Sequence, residues 1–110
     1  MEKINLVVKA LKKINPNFVD VYDTKFESPF FDYIVVAVVD SVRQANSSMT
    51  YVKEFLTEEG FKIKSSTGLD SGWVLIDGID ILIHVFTTDE YDRVEIDKLY
   101  LDYKKVNIKD

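Results

Sequence analysis

Apolar residues recur along the chain with two periods, one helical and one alternating. Ile4, Leu6, Val7, Leu11 and Ile14 fall at helical spacing with Pro16 just beyond, so the spacing predicts a first helix. Phe18–Asp23 reads as a short strand, and Thr24–Phe30, which contains Ser28-Pro29, reads as a loop. Tyr33–Val39 is apolar throughout and rich in β-branched residues, the pattern of a central strand covered on both faces. Asp40 or Ser41 can cap the next helix, because their side-chain oxygens accept from its free N–H groups. The stripe of that helix is Val42, Ala45, Met49, Val52, Phe55 and Leu56, and Gly60 closes it. Phe61–Ser65 is predicted as a third strand and Ser66–Gly72 as a polar loop.

Trp73–Asp77 and Asp80–Phe86 then read as a hairpin around Gly78-Ile79. Glycine at the first turn position suits a type II′ turn, which places Asp77 opposite Asp80, Leu75 opposite Leu82 and Trp73 opposite His84. Thr87-x-x-Glu90 has the spacing of a capping box for a last helix running to about Tyr100. These elements predict an α/β fold (an α+β mixed sheet) in a single domain, with about five strands flanked by helices. The domain spans residues 1–103, and 104–110 reads as a short polar C-terminal tail.

Because a strand alternates its side chains, the hairpin has two unlike faces. Val74, Ile76, Ile81, Ile83 and Val85 make one wholly aliphatic face, which belongs to the core. Trp73, Leu75, Asp77, Asp80, Leu82, His84 and Phe86 make the other. A helix-covered face does not normally hold two carboxylates, so this one is expected to meet solvent at least near the turn. The competing reading is that a loop or the last helix covers Trp73 and Phe86. Left open, such a face is more apolar than a monomer usually exposes, and Trp is the residue most enriched at binding hot spots.

Charge changes the picture more than composition does. Residues 1–69 carry nine acids and nine bases, whereas 70–103 carry nine acids against Arg93 and Lys98, a local balance of −7. Such a surface repels phosphate backbones and attracts basic partners, or simply keeps one solvated face soluble. Direct nucleic-acid binding is disfavoured. The longest apolar run, Tyr33–Val39, is too short to span a bilayer, and the N-terminal segment reads as part of the fold, not as a signal peptide. No cysteine is present, which excludes disulfides and thiolate metal sites and makes a reduced intracellular compartment the default.

Catalytic templates find little to match. His84 is the only histidine, no Gly-x-Ser-x-Gly elbow occurs, and the four glycines form no phosphate loop. Asp77 and Asp80 with His84 are compatible with a metal, an acid–base pair, basic side chains of a partner, or plain solvated turn residues. Two carboxylates and one histidine without a third firm ligand are a weak metal signal, so no metal and no cofactor is assigned. Arg43 in the first turn of the central helix opposes the helix dipole, which suits a carboxylate partner, a binding role or simple solvation.

Ser28-Pro29-Phe-Phe-Asp32-Tyr33-Ile-Val-Val-Ala37 followed by Ser41-Val-Arg43-Gln44 resembles the ribosomal silencing factor (Iojap-related) family. So does Gly72-Trp73-Val-Leu-Ile-Asp77-x-x-Asp80-Ile-Leu-Ile-His84-Val-Phe86 with the acidic helix ending at Leu99-Tyr100, the similarity covering about residues 4–100. The resemblance implies a nucleotidyltransferase-like fold without catalytic residues, and a cytoplasmic, non-enzymatic protein. It implies binding to ribosomal protein L-fourteen on the large ribosomal subunit, where subunit joining is obstructed and translation repressed. The implied contact residues are Trp73, Leu75, Asp77, Asp80, Leu82, His84, Tyr91 and Tyr100, with Arg43 either structural or partner-binding.

The chain departs from the family pattern at Val38-Val39-Asp40, at the turn (Gly78-Ile79 where Asp-aromatic-Gly-Asp is usual), at Tyr91, Arg93 and Val94, and at Tyr100. A non-ribosomal acidic interaction module and a nucleotidyltransferase are the alternatives. The enzyme needs a Gly-Ser motif and closely spaced metal-binding acids, and Val38-Val39-Asp40-Ser41 lacks the glycine. A homodimer through the mixed face is also compatible with the pattern.

Overall fold

The computed structural model describes residues 2–108; residue 1 and the last two residues of the predicted tail, 109 and 110, lie outside the described residues. The chain runs α1 (Lys3–Lys12), β1 (Phe18–Asp23), β2 (Tyr33–Val39), α2 (Val42–Glu58), β3 (Ser65–Thr67), β4 (Trp73–Asp77), β5 (Ile81–Thr87), α3 (Thr88–Val94), α4 (Ile96–Leu99) and β6 (Lys104–Val106). One mixed sheet has the order β3-β4-β5-β2-β1-β6, so the described strands number six where about five were expected. The sixth is Lys104–Val106, which leaves the predicted polar tail and pairs antiparallel with β1. β2 and β5 are the parallel pair at the centre, and the other neighbours are antiparallel.

β2 earns its central place through its composition: Val35, Ala37 and Val39 enter one core, while Ile34, Val36 and Val38 enter a second. α1 and α2 cover the first face, where Val7, Leu11, Val52, Leu56, Val74, Ile76 and Ile83 are buried. Full burial of each such aliphatic side chain stabilises by about 1.5–3 kcal/mol. α2 turns Ser48 inward with its hydroxyl donating to the Ala45 carbonyl, whereas Val42, predicted on the stripe, is 39% exposed.

The start of α2 is tied to the end of α1. Ser41 and Gln44 form a reciprocal capping box, and Gln44 Nε2 also donates to the carbonyls of Ile14 and Asn15 at 2.9 and 3.2 Å. One polar side chain thus serves the free amides that open α2 and the carbonyls of the turn that follows α1.

Four local expectations are corrected. The third strand lies at Ser65–Thr67, not Phe61–Ser65, because Phe61 and Ile63 pack against the first core from irregular backbone. In the hairpin, Asp77 faces Leu82, Leu75 faces His84 and Trp73 faces Phe86, two residues off the predicted register along β5. The left-handed residue of the turn is Ile79 (φ +80°), not Gly78, and Gly78 N–H donates to the Ile81 carbonyl. A slip of two preserves which residues share a face, so the two-face reading survives it. Finally, the last helix breaks at Glu95, which adopts φ +54°, and continues only as the short α4.

Candidate functional site

The mixed face of the hairpin carries the site. Trp73 enters β4 from a loop built around Gly68 (φ +93°), where a Cβ would stand 1.9 Å from the Trp73 carbonyl oxygen. Ser71 Oγ accepts from Trp73 N–H and donates to the Trp73 and Gly68 carbonyls, holding the loop against the strand. Asn46 of α2 and Asp70 exchange two hydrogen bonds, 2.8 and 2.9 Å, that anchor the same loop from the other side.

The pattern predicts solvent at least near the turn, with cover over Trp73 and Phe86 as the competing reading. The turn end is partly exposed, at Ile79 and the Asp80 side chain, and the aromatic end is covered. Phe86 is fully buried and His84 only 4% exposed, while Trp73, Leu75, Asp77 and Leu82 are half-buried. The cover is the broken C-terminal helix: Ile96, Tyr91, Val94, Tyr100 and Tyr103 pack with Tyr22, Ile34, Val36, Val38 and Phe86 into the second core. Its rings are in contact throughout. Trp73 lies 4.9 Å from Phe86 centroid to centroid, His84 stacks on Phe86 at 5.7 Å, and Tyr91 sets its ring edge-on between Phe86 and Phe18.

A hydrogen-bonded line crosses this aromatic cluster. Trp73 Nε1–H donates to His84 Nδ1 at 3.1 Å, and His84 Nε2 lies 3.0 Å from the Tyr100 hydroxyl. An indole nitrogen can only donate, so Nδ1 must accept and Nε2 carries the proton. Burial pushes the His84 pKa down to about 4, keeping the ring neutral at ordinary pH. The Tyr100 phenol is raised, first by burial and then by the neighbouring Tyr103 and Tyr22 hydroxyls.

Of the residues singled out in the sequence, the structure brings Trp73, His84 and Tyr100 together, with Leu75 opposite His84 and Tyr91 against Phe86. Asp77 and Asp80 are not a facing pair. Asp77 Oδ1 accepts from Ile79 N–H within the turn, and Asp80 pairs with the Lys3 ammonium, which also donates to the Gly78 carbonyl. Neither carboxylate joins His84, and among the described residues no group of three or more His, Cys, Asp or Glu is placed to hold a metal. Arg43 shares no hydrogen bond or ion pair with the aromatic line, and no carboxylate among the described residues pairs with it; it stands exposed beside Gln44.

Electrostatics follow the sequence reading more closely. In α3 and α4 Arg93 is held by Glu90 at 2.6 Å and Lys98 by Glu95 at 3.2 Å. That leaves Asp89, Asp92, Asp97 and Asp102 exposed without a cation among the described residues. The Glu90 side chain therefore turns to Arg93, and only the Thr87 half of the predicted capping box forms. Sequence reasoning did not single out Leu99 and Leu101, 68% and 76% exposed beside these acids, or Phe26 and Phe30, 94% and 76% exposed in the loop before β2. Phe30 and Leu99 fall inside the family-like motifs without a role of their own, and Phe26 and Leu101 signal only as apolar residues outside the predicted core pattern.

Fold and site together define a small α/β domain whose second sheet face is a closed aromatic cluster rimmed by unpaired carboxylates. The chain belongs to the family described as ribosomal silencing factor during starvation, which it matches over residues 1–110. It is 33% identical over 96 residues to the ribosomal silencing factor of Chromobacterium violaceum, covering 86% of this chain and 79% of that one. With the Halalkalibacterium halodurans silencing factor it shares 29% over 108 residues, 97% and 92% of the two chains. In three dimensions it resembles a Chromobacterium violaceum protein solved by crystallography, with TM-score 0.85 and 29% identity over 100% of this chain and 95% of that chain. A crystal structure from Bacillus halodurans gives TM-score 0.82 and 27% identity, covering 96% of both.

Proposed function

We propose that the protein binds the large ribosomal subunit through ribosomal protein L-fourteen, obstructs joining of the small subunit and so represses translation in the cytoplasm. The observation that carries this reading is family membership over the whole chain. The surface is consistent with it: an acidic, apolar patch suits a basic ribosomal protein, whose positive field would steer encounter and fix orientation. The mechanism is steric, with no chemical step. In this reading Trp73, Leu75, Leu82, Tyr91 and the outer edge of Tyr100 supply apolar contact, with Asp77 and the carboxylates of α3 and α4 around them. His84 acts behind the surface, holding Trp73 and Tyr100 in place, and Asp80 fixes the turn through Lys3. No helix among the described residues is long and apolar enough to cross a membrane.

Sucrose-gradient sedimentation of purified subunits, with and without the protein at near-physiological salt and magnesium, tests the proposal. Travel with the large subunit and a reduced joined-ribosome peak are expected. A protein that stays at the top while subunits join normally would overturn it.

A further inference from the structure

At the end of α4 the second face carries a half-open pocket of about 250 Å³ lined by Tyr22, Asp97, Tyr100, Leu101, Tyr103 and Lys105. Its walls are three tilted tyrosine rings: Tyr22 and Tyr100 lie 5.4 Å apart at 50°, Tyr100 and Tyr103 5.9 Å apart at 44°. Two carboxylates act on this space. The Tyr22 phenol is raised by burial and then by Asp20 and Asp97, which places both acids within electrostatic reach of its hydroxyl. Asp20 is answered by Lys105 at 3.3 Å. Asp97 has no cation among the described residues.

The lining discriminates between ligand classes. An anion would meet the unanswered Asp97 carboxylate, with the Lys105 ammonium already committed to Asp20, and be repelled. A neutral apolar group would satisfy the rings and leave the carboxylate without a partner. A cation suits both, because aromatic faces attract positive charge within about 6 Å of the centroid. Lys105 already shows this at the rim, its ammonium 5.8 Å from the Tyr22 ring. Among cations the guanidinium fits best: it is planar, stacks on a ring, is weakly hydrated, and forks onto a carboxylate with two parallel hydrogen bonds.

We propose that this cavity is an arginine cage, in which a guanidinium lies against Tyr100 and Tyr103 with Asp97 as its counter-ion. The cage rests on its own lining. That its arginine is carried by the ribosomal partner rests on the function proposed above.

The test is an amide and tyrosine-ring NMR titration of the full chain with N-acetyl-arginine-amide, with N-acetyl-lysine-amide and sodium chloride as comparisons. Saturable shifts at Tyr22, Tyr100, Tyr103 and Asp97 are expected for the arginine probe. Asp97→Asn, at an exposed position, should weaken binding roughly fivefold, and Lys105→Gln should strengthen it by about two- to fivefold by removing a like charge. Shifts that never saturate, that lysine or salt reproduces equally, or that both variants leave unchanged would overturn the cage. A saturating, Asp97-dependent titration establishes it whatever the subunit gradient shows, and a blank titration removes it even if the protein travels with the large subunit.

Discussion

The indole of Trp73 donates to Nδ1 of His84 at 3.1 Å, and this single bond fixes the tautomer of the only histidine in the chain. With Nδ1 accepting and Nε2–H directed at Tyr100, the imidazole has no site for a second proton unless the indole bond breaks. Hence the ring stays neutral inside the second core.

A pH dependence of stability follows. The folded His84 titrates at about 4 and an unfolded histidine at about 6.5, so between these values the unfolded chain binds more protons. Stability from this group is fully present above the unfolded value. It declines as pH falls from about 6.5 to 4, by about 3 kcal/mol in all, and levels off below. Urea unfolding at a series of pH values checks this, and the histidine share of the slope should vanish in His84→Gln.

Trp73→Phe keeps a ring against Phe86 and removes the donor. Nδ1 is then free to take a proton, so the His84 pKa should rise from its depressed value. The loss of a partner for a buried nitrogen should cost about 1–3 kcal/mol. An NMR titration of the imidazole and a denaturation curve report the two effects separately.

Ile79 is a β-branched residue held at φ +80°, next to a glycine that does not use its freedom. Strain of this kind costs of order 1–3 kcal/mol, against about 0.5–1 kcal/mol for the added chain entropy of a glycine. Ile79→Gly should therefore stabilise the domain by about 1 kcal/mol, read as a higher melting temperature with unchanged amide shifts outside the turn.

Gln44 serves the start of α2 and the turn that follows α1, and its substitutions separate the two roles. Gln44→Ala should lose the capping box and the clasp to that turn, about 1–2 kcal/mol together. Gln44→Glu keeps oxygens for the Asp40 and Ser41 amides and loses the donors to Ile14 and Asn15. It should cost less than Gln44→Ala in thermal unfolding.

Much of this architecture was legible in the chain, and the failures have physical causes. The assignment of hairpin faces held because Val74, Ile76, Ile83 and Val85 alternate with polar and aromatic residues, a signal that a slip of two cannot erase. The turn was misread because glycine at 78 drew the left-handed conformation that the backbone gives to Ile79. Cover over Phe86 by the last helix was legible only as the competing reading, and the break at Glu95 was not legible, since it carries no glycine or proline to announce it. Asp77 and Asp80 looked like a pair on spacing, and only the fold reveals that Lys3, from the other end of the chain, takes Asp80.

The sheet also ends on both sides in strands of three residues, Ser65-Ser66-Thr67 and Lys104-Lys105-Val106. A rim so short, built from hydroxyls on one side and ammonium groups on the other, gives a foreign strand little ladder to extend. Runaway edge-to-edge polymerisation is thereby discouraged, even though phenylalanines and leucines stand exposed elsewhere on the domain.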